Sequence, residues 1–118
     1  MERWRRVASS AAEQCGRAAV PPIDMVRDLP DLLASLDAVE SDLRIVAAEP
    51  SIALRESRPA PALVRAVTIA VGPAGGLASA DLESLDRSGF RPERFAAHTL
   101  RSETAAAAAV AILGDRYQ

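Results

Sequence analysis

Two short apolar runs, Leu43–Ala48 and Ala66–Val71, constrain this chain more than any other feature in it. A strand with one face in water alternates apolar and polar residues. These runs scarcely do, and the second is rich in β-branched residues. Near-continuous apolar strands belong to parallel sheets covered by helices on both sides. The flanking sequence supplies those helices. Trp4, Val7, Ala8, Ala11, Ala12 and Cys15 make one helical stripe, which predicts a first helix stopped at Gly16. A second helix is expected behind an Asp28 cap, with Pro30 in its first turn and Leu29, Leu32, Leu33, Leu36 and Val39 buried.

Pro50 to Pro61 reads as loop. After the second strand comes Gly72-Pro-Ala-Gly-Gly76, then a helix capped by Ser79, with Leu82 and Leu85 inward and Gly89 as its stop. Glu93–Ala96 is expected as a short third strand and Glu103–Leu113 as an Ala-rich closing helix, with frayed residues beyond it. The expected order is helix, helix, strand, strand, helix, strand, helix, which is an α/β layer fold.

Composition narrows the function classes. The chain has 118 residues, room for one ordinary core, and a net charge of −2 that gives no overall footprint for nucleic acid. All 14 fixed positive charges are arginine. Four aromatic residues, Trp4, Phe90, Phe95 and Tyr117, are too few for a base-stacking platform. A single Cys15 excludes an internal disulfide, and Cys15 with His98 makes no metal-ligand set. Cys15 and Trp4 are expected as packing residues of the first helix, and Arg3, Arg5 and Arg6 as its solvated face. No apolar run reaches a membrane span, and the charged start Met1-Glu-Arg-Trp-Arg-Arg6 is unlike a secretory signal. The cytoplasm is the expected compartment.

Two segments carry chemistry. Val71-Gly-Pro-Ala-Gly-Gly-Leu77 lies between a strand and a helix, at the edge where open α/β sheets bind ligands. Its glycines let the backbone approach a ligand and present N–H groups. The same residues also suit a tight turn without a ligand. The spacing is neither that of a dinucleotide-binding fingerprint nor that of a phosphate-binding P-loop. The second segment, Leu100-Arg-Ser-Glu-Thr-Ala105, reads by itself as a helix start with Ser102 as N-cap.

Taken together, the two segments resemble the RsmE family. Val71–Leu77 is similar to that family's I-G-P-E-G-G-(L/F) loop, and Leu100–Ala105 to its (I/V)-L-R-T-E-T-(A/T) segment. Gly76-Leu-Ala-Ser-Ala-Asp81 looks like its G-(L/F)-S-x-x-E helix start, and Gly89-Phe90 like the end of that helix. Arg3-Trp4, Glu13-Gln-Cys-Gly-Arg17 and Val20-Pro21 resemble its R-W, E-Q-(S/C)-G-R and V-P stretch, and Gly114-Asp115 its tail. The likeness is weakest between Asp24 and Arg65. Some positions depart from the pattern. Ala74 stands for the loop Glu, Ala78 for the cap Ser, Ala96 for a Gly, His98 for an Arg, and Thr99 for an Ile or Val.

The resemblance implies a SPOUT methyltransferase that modifies N3 of a uridine in 16S ribosomal RNA. The implied fold is a parallel sheet flanked by helices, with a C-terminal trefoil knot whose loops are Val71–Leu77 and Phe95–Arg101, and the segment Ala47–Pro50 alongside. It further implies S-adenosylmethionine as cofactor, held by Val71, Gly72, Pro73, Gly75, Gly76, Leu77, Phe95, Ala96, Leu100 and Thr104. Arg101 would stabilise the deprotonated base and Glu103 accept the proton or orient Arg101, while Arg17 and Arg101 would contact RNA. Small-subunit ribosomal RNA and a second copy of the chain are the implied partners. Family members carry an amino-terminal β-barrel and the first strands of the methyltransferase domain ahead of the point matching Met1. Residues 1–118 are therefore expected to be a partial SPOUT domain, from a truncated reading frame. Two alternatives stand beside this reading: a degenerate SPOUT domain without turnover, and an unrelated α/β interaction module whose glycine loop is only a turn.

Overall fold

The computed structural model describes residues 2–25, 28–36, 41–48, 62–73, 75–98 and 100–117. The chain forms two compact units, Met1–Leu32 and Leu33–Gln118. The elements run α1 (Glu2–Cys15), α2 (Leu29–Leu36), β1 (Leu43–Ala47), β2 (Val67–Ala70), α3 (Ser79–Arg87), β3 (Arg91–Glu93) and α4 (Ser102–Arg116), in the expected order.

In the first unit, α1 ends in a Schellman motif. Gly16 has φ +74°, and the Arg17 N–H donates to the Ala12 carbonyl at 3.0 Å. The expected buried stripe is not realised. Ala12 is buried, but Trp4 is 66% exposed, Val7 57%, and Ala11 and Cys15 are exposed as well. A helical stripe is buried only where another surface covers it; here only Ala12 is fully buried and Ala8 is half-buried. Cys15 is thus not a core residue; its thiol donates to the Ala12 carbonyl at 3.6 Å. The Asp28 cap of α2 is as expected, its carboxylate accepting from the Asp31 N–H at 2.9 Å. No α2 side chain is fully buried, and Val39 lies outside the described residues.

The second unit is built on a three-stranded parallel sheet of order β2-β1-β3. Leu43 pairs with Val67 and Ile45 with Ile69 on one side of β1, and Ile45 with Arg91 and Ala47 with Glu93 on the other. The third strand therefore sits two residues earlier than expected, with Pro92 on an edge strand, where its missing N–H is tolerated.

Successive β1 side chains point to opposite faces of the sheet. Leu43 and Ile45 cluster with Leu113 of α4, joined by Val64, Val67, Ile69, Phe95 and Tyr117. On the opposite face Val46 is buried, and Arg44 crosses the Phe90 ring at 5.9 Å. The Arg44 guanidinium also donates to the carbonyls of Ser88 at 2.9 Å and Leu36 at 3.3 Å, serving the carboxyl ends of α3 and α2. α4 thus packs on one face of the sheet, and Arg44 with Phe90 lies on the other.

α3 closes with a second Schellman motif. Gly89 has φ +86° and the Phe90 N–H donates to the Leu85 carbonyl at 3.0 Å, with Leu85 and Phe90 both buried. Its N-cap is Ala78, without a side-chain bond, so Ser79 is the first helical residue and not the cap. α4 runs past Leu113 to Arg116. At its end Arg116 forms an ion pair with Glu93 of β3 and Tyr117 packs on the core. The expected loop from Pro50 to Pro61 lies outside the described residues.

Candidate active site

A parallel sheet brings the carboxyl ends of its strands to one edge. Segment 71–77 leaves the end of β2, segment 94–101 the end of β3, and Ala48 the end of β1, its N–H donating to the Glu93 carbonyl at 2.9 Å. This edge is where open α/β sheets bind ligands. Glu49, Pro50, Ala74 and Thr99 lie outside the described residues.

The glycine loop is folded back on itself. The Gly76 N–H donates to the Pro73 carbonyl at 2.8 Å, and Gly76 has φ +82°, a conformation that side chains disfavour. Gly72 and Leu77, near the two ends of the loop, touch. A Cβ on residue 72 would stand 2.8 Å from Leu77 Cγ, so only glycine fits with Leu77 in place. Around Gly75 there is open space, with nothing within 4 Å of a Cβ position. Val71, Gly76 and Leu77 are half-buried, while Pro73 and Gly75 are exposed.

The second segment meets the first through one side chain. The Ser102 hydroxyl donates to the Gly72 carbonyl at 2.7 Å. The expectation that Ser102 caps α4 is thereby corrected. Arg101 is the N-cap residue, without a side-chain cap bond, and its carbonyl accepts from the Ala105 N–H at 2.7 Å. The reason lies in the helix period. Ser102, Ala105, Ala106, Ala109 and Leu113 share one face, and that face packs inward, with Ala109 and Leu113 buried. Sequence reasoning missed this role of Ser102, although the same apolar spacing along α4 carries the signal.

The flanking residues point elsewhere. Arg101, Glu103 and Thr104 are exposed, and among the described residues the Arg101 and Glu103 side chains pair neither with each other nor with a third group. Leu100 and Ala96 are half-buried. The Phe95 side chain packs against the Leu43, Ile45 and Leu113 cluster. His98 is exposed, and Arg17 is an exposed residue of the first unit. Among the described residues no group of three His, Cys, Asp or Glu is assembled to hold a metal ion, and no helix is long and apolar enough to cross a membrane.

A glycine loop at a strand end is tied to the first turn of a later helix. Residues 1–114 match the model of a family described as an RNA methyltransferase domain. The chain belongs to that RNA methyltransferase family. Ribosomal RNA small subunit methyltransferase E of Mycobacterium bovis is 33% identical over 115 residues, covering 97% of this chain and 44% of that protein.

Solved structures agree with the assignment. A ribosomal RNA small subunit methyltransferase E from Neisseria gonorrhoeae, bound to S-adenosyl methionine, superposes with a TM-score of 0.74 at 28% identity, covering 98% of this chain and 47% of that one. A probable rRNA-methyltransferase from Porphyromonas gingivalis gives 0.74 at 28% identity, over 98% and 49%. The methyltransferase segment described here thus spans about half the length of the relatives it matches. The RsmE resemblance holds, and the alternative of an unrelated α/β module falls. The α/β architecture with its parallel sheet is common to this chain and those structures.

Proposed function

We infer that this chain is part of a SPOUT methyltransferase domain that methylates uridine N3 in 16S ribosomal RNA. The observation that carries the reading is the Ser102–Gly72 hydrogen bond, which joins the two segments of the RsmE pattern at the carboxyl edge of the sheet. On this reading segments 71–77 and 95–101 are loops of a trefoil knot, the enzyme works as a homodimer in the cytoplasm, and Arg17 and Arg101 contact RNA.

The residues present fit S-adenosylmethionine. Open space at Gly75 leaves room for a ligand against the backbone; on this reading Val71, Gly72, Pro73, Gly76, Leu77, Phe95, Ala96, Leu100 and Thr104 would hold it with Gly75. When bound, S-adenosylmethionine supplies an activated methyl group. Neutral N3 has no available lone pair, so its proton has to leave. Arg101, exposed at the N-cap of α4, stabilises the anionic base, and Glu103 in the first turn of that helix accepts the proton. Most of the remaining work is alignment of the two reacting atoms.

The test is incubation of the chain with radiolabelled S-adenosylmethionine and small ribosomal subunits lacking the mark. Label at uridine N3 is expected. Absence of cofactor binding by calorimetry would overturn the reading. A second reading, binding without turnover, is favoured by one observation: Arg101 and Glu103 stand exposed and unpaired among the described residues, and so are not preorganised. Cofactor binding with no label in RNA selects it.

A further inference from the structure

We propose that Ser102 is a positioning residue, a clamp that fixes the glycine loop against the helix turn carrying Arg101 and Glu103. The role rests on the reading of 71–77 as the cofactor loop.

The geometry makes the hydroxyl more than a local helix feature. A serine at a helix start ordinarily accepts from a backbone N–H of its own helix. Ser102 instead donates across 30 residues to Gly72. The Gly72 carbonyl needs that donor. Among the described residues the β1–β2 ladder ends at the Val46–Ala70 pair, and no strand pairing reaches residue 72. Gly72 is half-buried, where an unpaired carbonyl is costly, and the hydroxyl pairs it.

Two restraints therefore converge on Gly72. The Leu77 side chain fills the space over its Cα, and the Ser102 hydroxyl holds its carbonyl. Between them they fix where the loop leaves β2 and where it returns. The neighbours of Ser102 on α4, Arg101 and Glu103, are exposed on the other side of the same turn. One hydrogen bond thus sets the distance between the loop that would hold the methyl donor and the side chains that would handle the base. A misplacement of the order of 1 Å in such a pair is enough to cost about a hundredfold in rate.

The experiment compares the wild-type chain with Ser102→Ala and Ser102→Thr, by amide hydrogen exchange and by calorimetry with S-adenosylmethionine. Loss of one hydrogen bond should speed exchange at Gly75, Gly76 and Leu77 by about three- to tenfold in Ser102→Ala, and weaken cofactor binding by a similar factor. Exchange in β1 and α3 should stay as in the wild type, and Ser102→Thr, which keeps the hydroxyl, should restore both readouts. Unchanged loop exchange in Ser102→Ala, or a rise spread evenly over β1 and α3, overturns the clamp while leaving the cofactor reading standing. A wild-type chain that binds no S-adenosylmethionine overturns the cofactor reading, and the positioning role with it.

Discussion

The side chain of Leu77 stands where a methyl group on residue 72 would have to go, with Leu77 Cγ 2.8 Å from that position. Gly72→Ala therefore has to push Leu77 aside or move the strand end. The expected cost is about 1–3 kcal/mol, the usual range for overpacking. Gly75→Ala adds the same methyl in open space and should change stability by no more than about 0.5 kcal/mol. Urea unfolding midpoints of the two variants check the contrast. Equal effects would mean that the loop ends are not in contact.

Arg101→Ala and Glu103→Gln test the proposed chemistry. Both side chains are exposed, so the thermal midpoint should hardly move. Methyl transfer to ribosomal RNA should fall by about a hundredfold or more, the range for loss of a positioned acid or base. Cofactor affinity should stay within about twofold of wild type. Full transfer by Arg101→Ala would end its assignment.

Arg44 ties one sheet face to two helix ends, through the Ser88 and Leu36 carbonyls and the Phe90 ring. Arg44→Met keeps the stem and removes every donor. A loss of about 2–3 kcal/mol is expected from the unpaired carbonyls and the lost ring contact. Chemical denaturation measures it, and a loss under about 0.5 kcal/mol would contradict the bridging role.

Asp42 sets a pH dependence. Its carboxylate accepts the Arg65 N–H at 2.7 Å and the Ala66 N–H at 3.1 Å, and these backbone donors hold its pKa below the ordinary 3.8. A carboxyl with a lowered folded pKa adds stability above its unfolded value and loses it as pH falls through the folded one. Asp42→Asn should therefore lie below wild type at neutral pH, with the gap closing below pH 3.8. Denaturation midpoints across that window check the sign. A gap that widens in acid would refute it.

Much of this architecture was legible in the sequence because it depends on local signals. The apolar runs placed β1 and β2, Gly16 and Gly89 marked two helix ends, and Asp28 capped α2. What escaped depends on partners distant in the chain. The α1 stripe reads as buried until one asks what covers it, and Trp4 and Val7 find little. The reach of α4 beyond Leu113 to Arg116 is hidden because its ion-pair partner, Glu93, lies 23 residues away. Ser102 looked like a cap because its acceptor, Gly72, is invisible from its own helix. The glycine loop and the α4 start were visible separately. Their union, and the unpaired state of Arg101 and Glu103, required coordinates.

The central strand is the first of the three to be synthesised. β1 leaves the ribosome before either of its described partners, which follow only at residues 67–70 and 91–93. Neither pairing is a hairpin that can zip from a turn, so each has to wait for a long loop to close. Until they do, Leu43, Ile45 and Val46, which the folded sheet buries, lack those partners. The order of strands in the sheet thus leaves an apolar strand waiting for its partners during synthesis, the kind of species that is prone to aggregate.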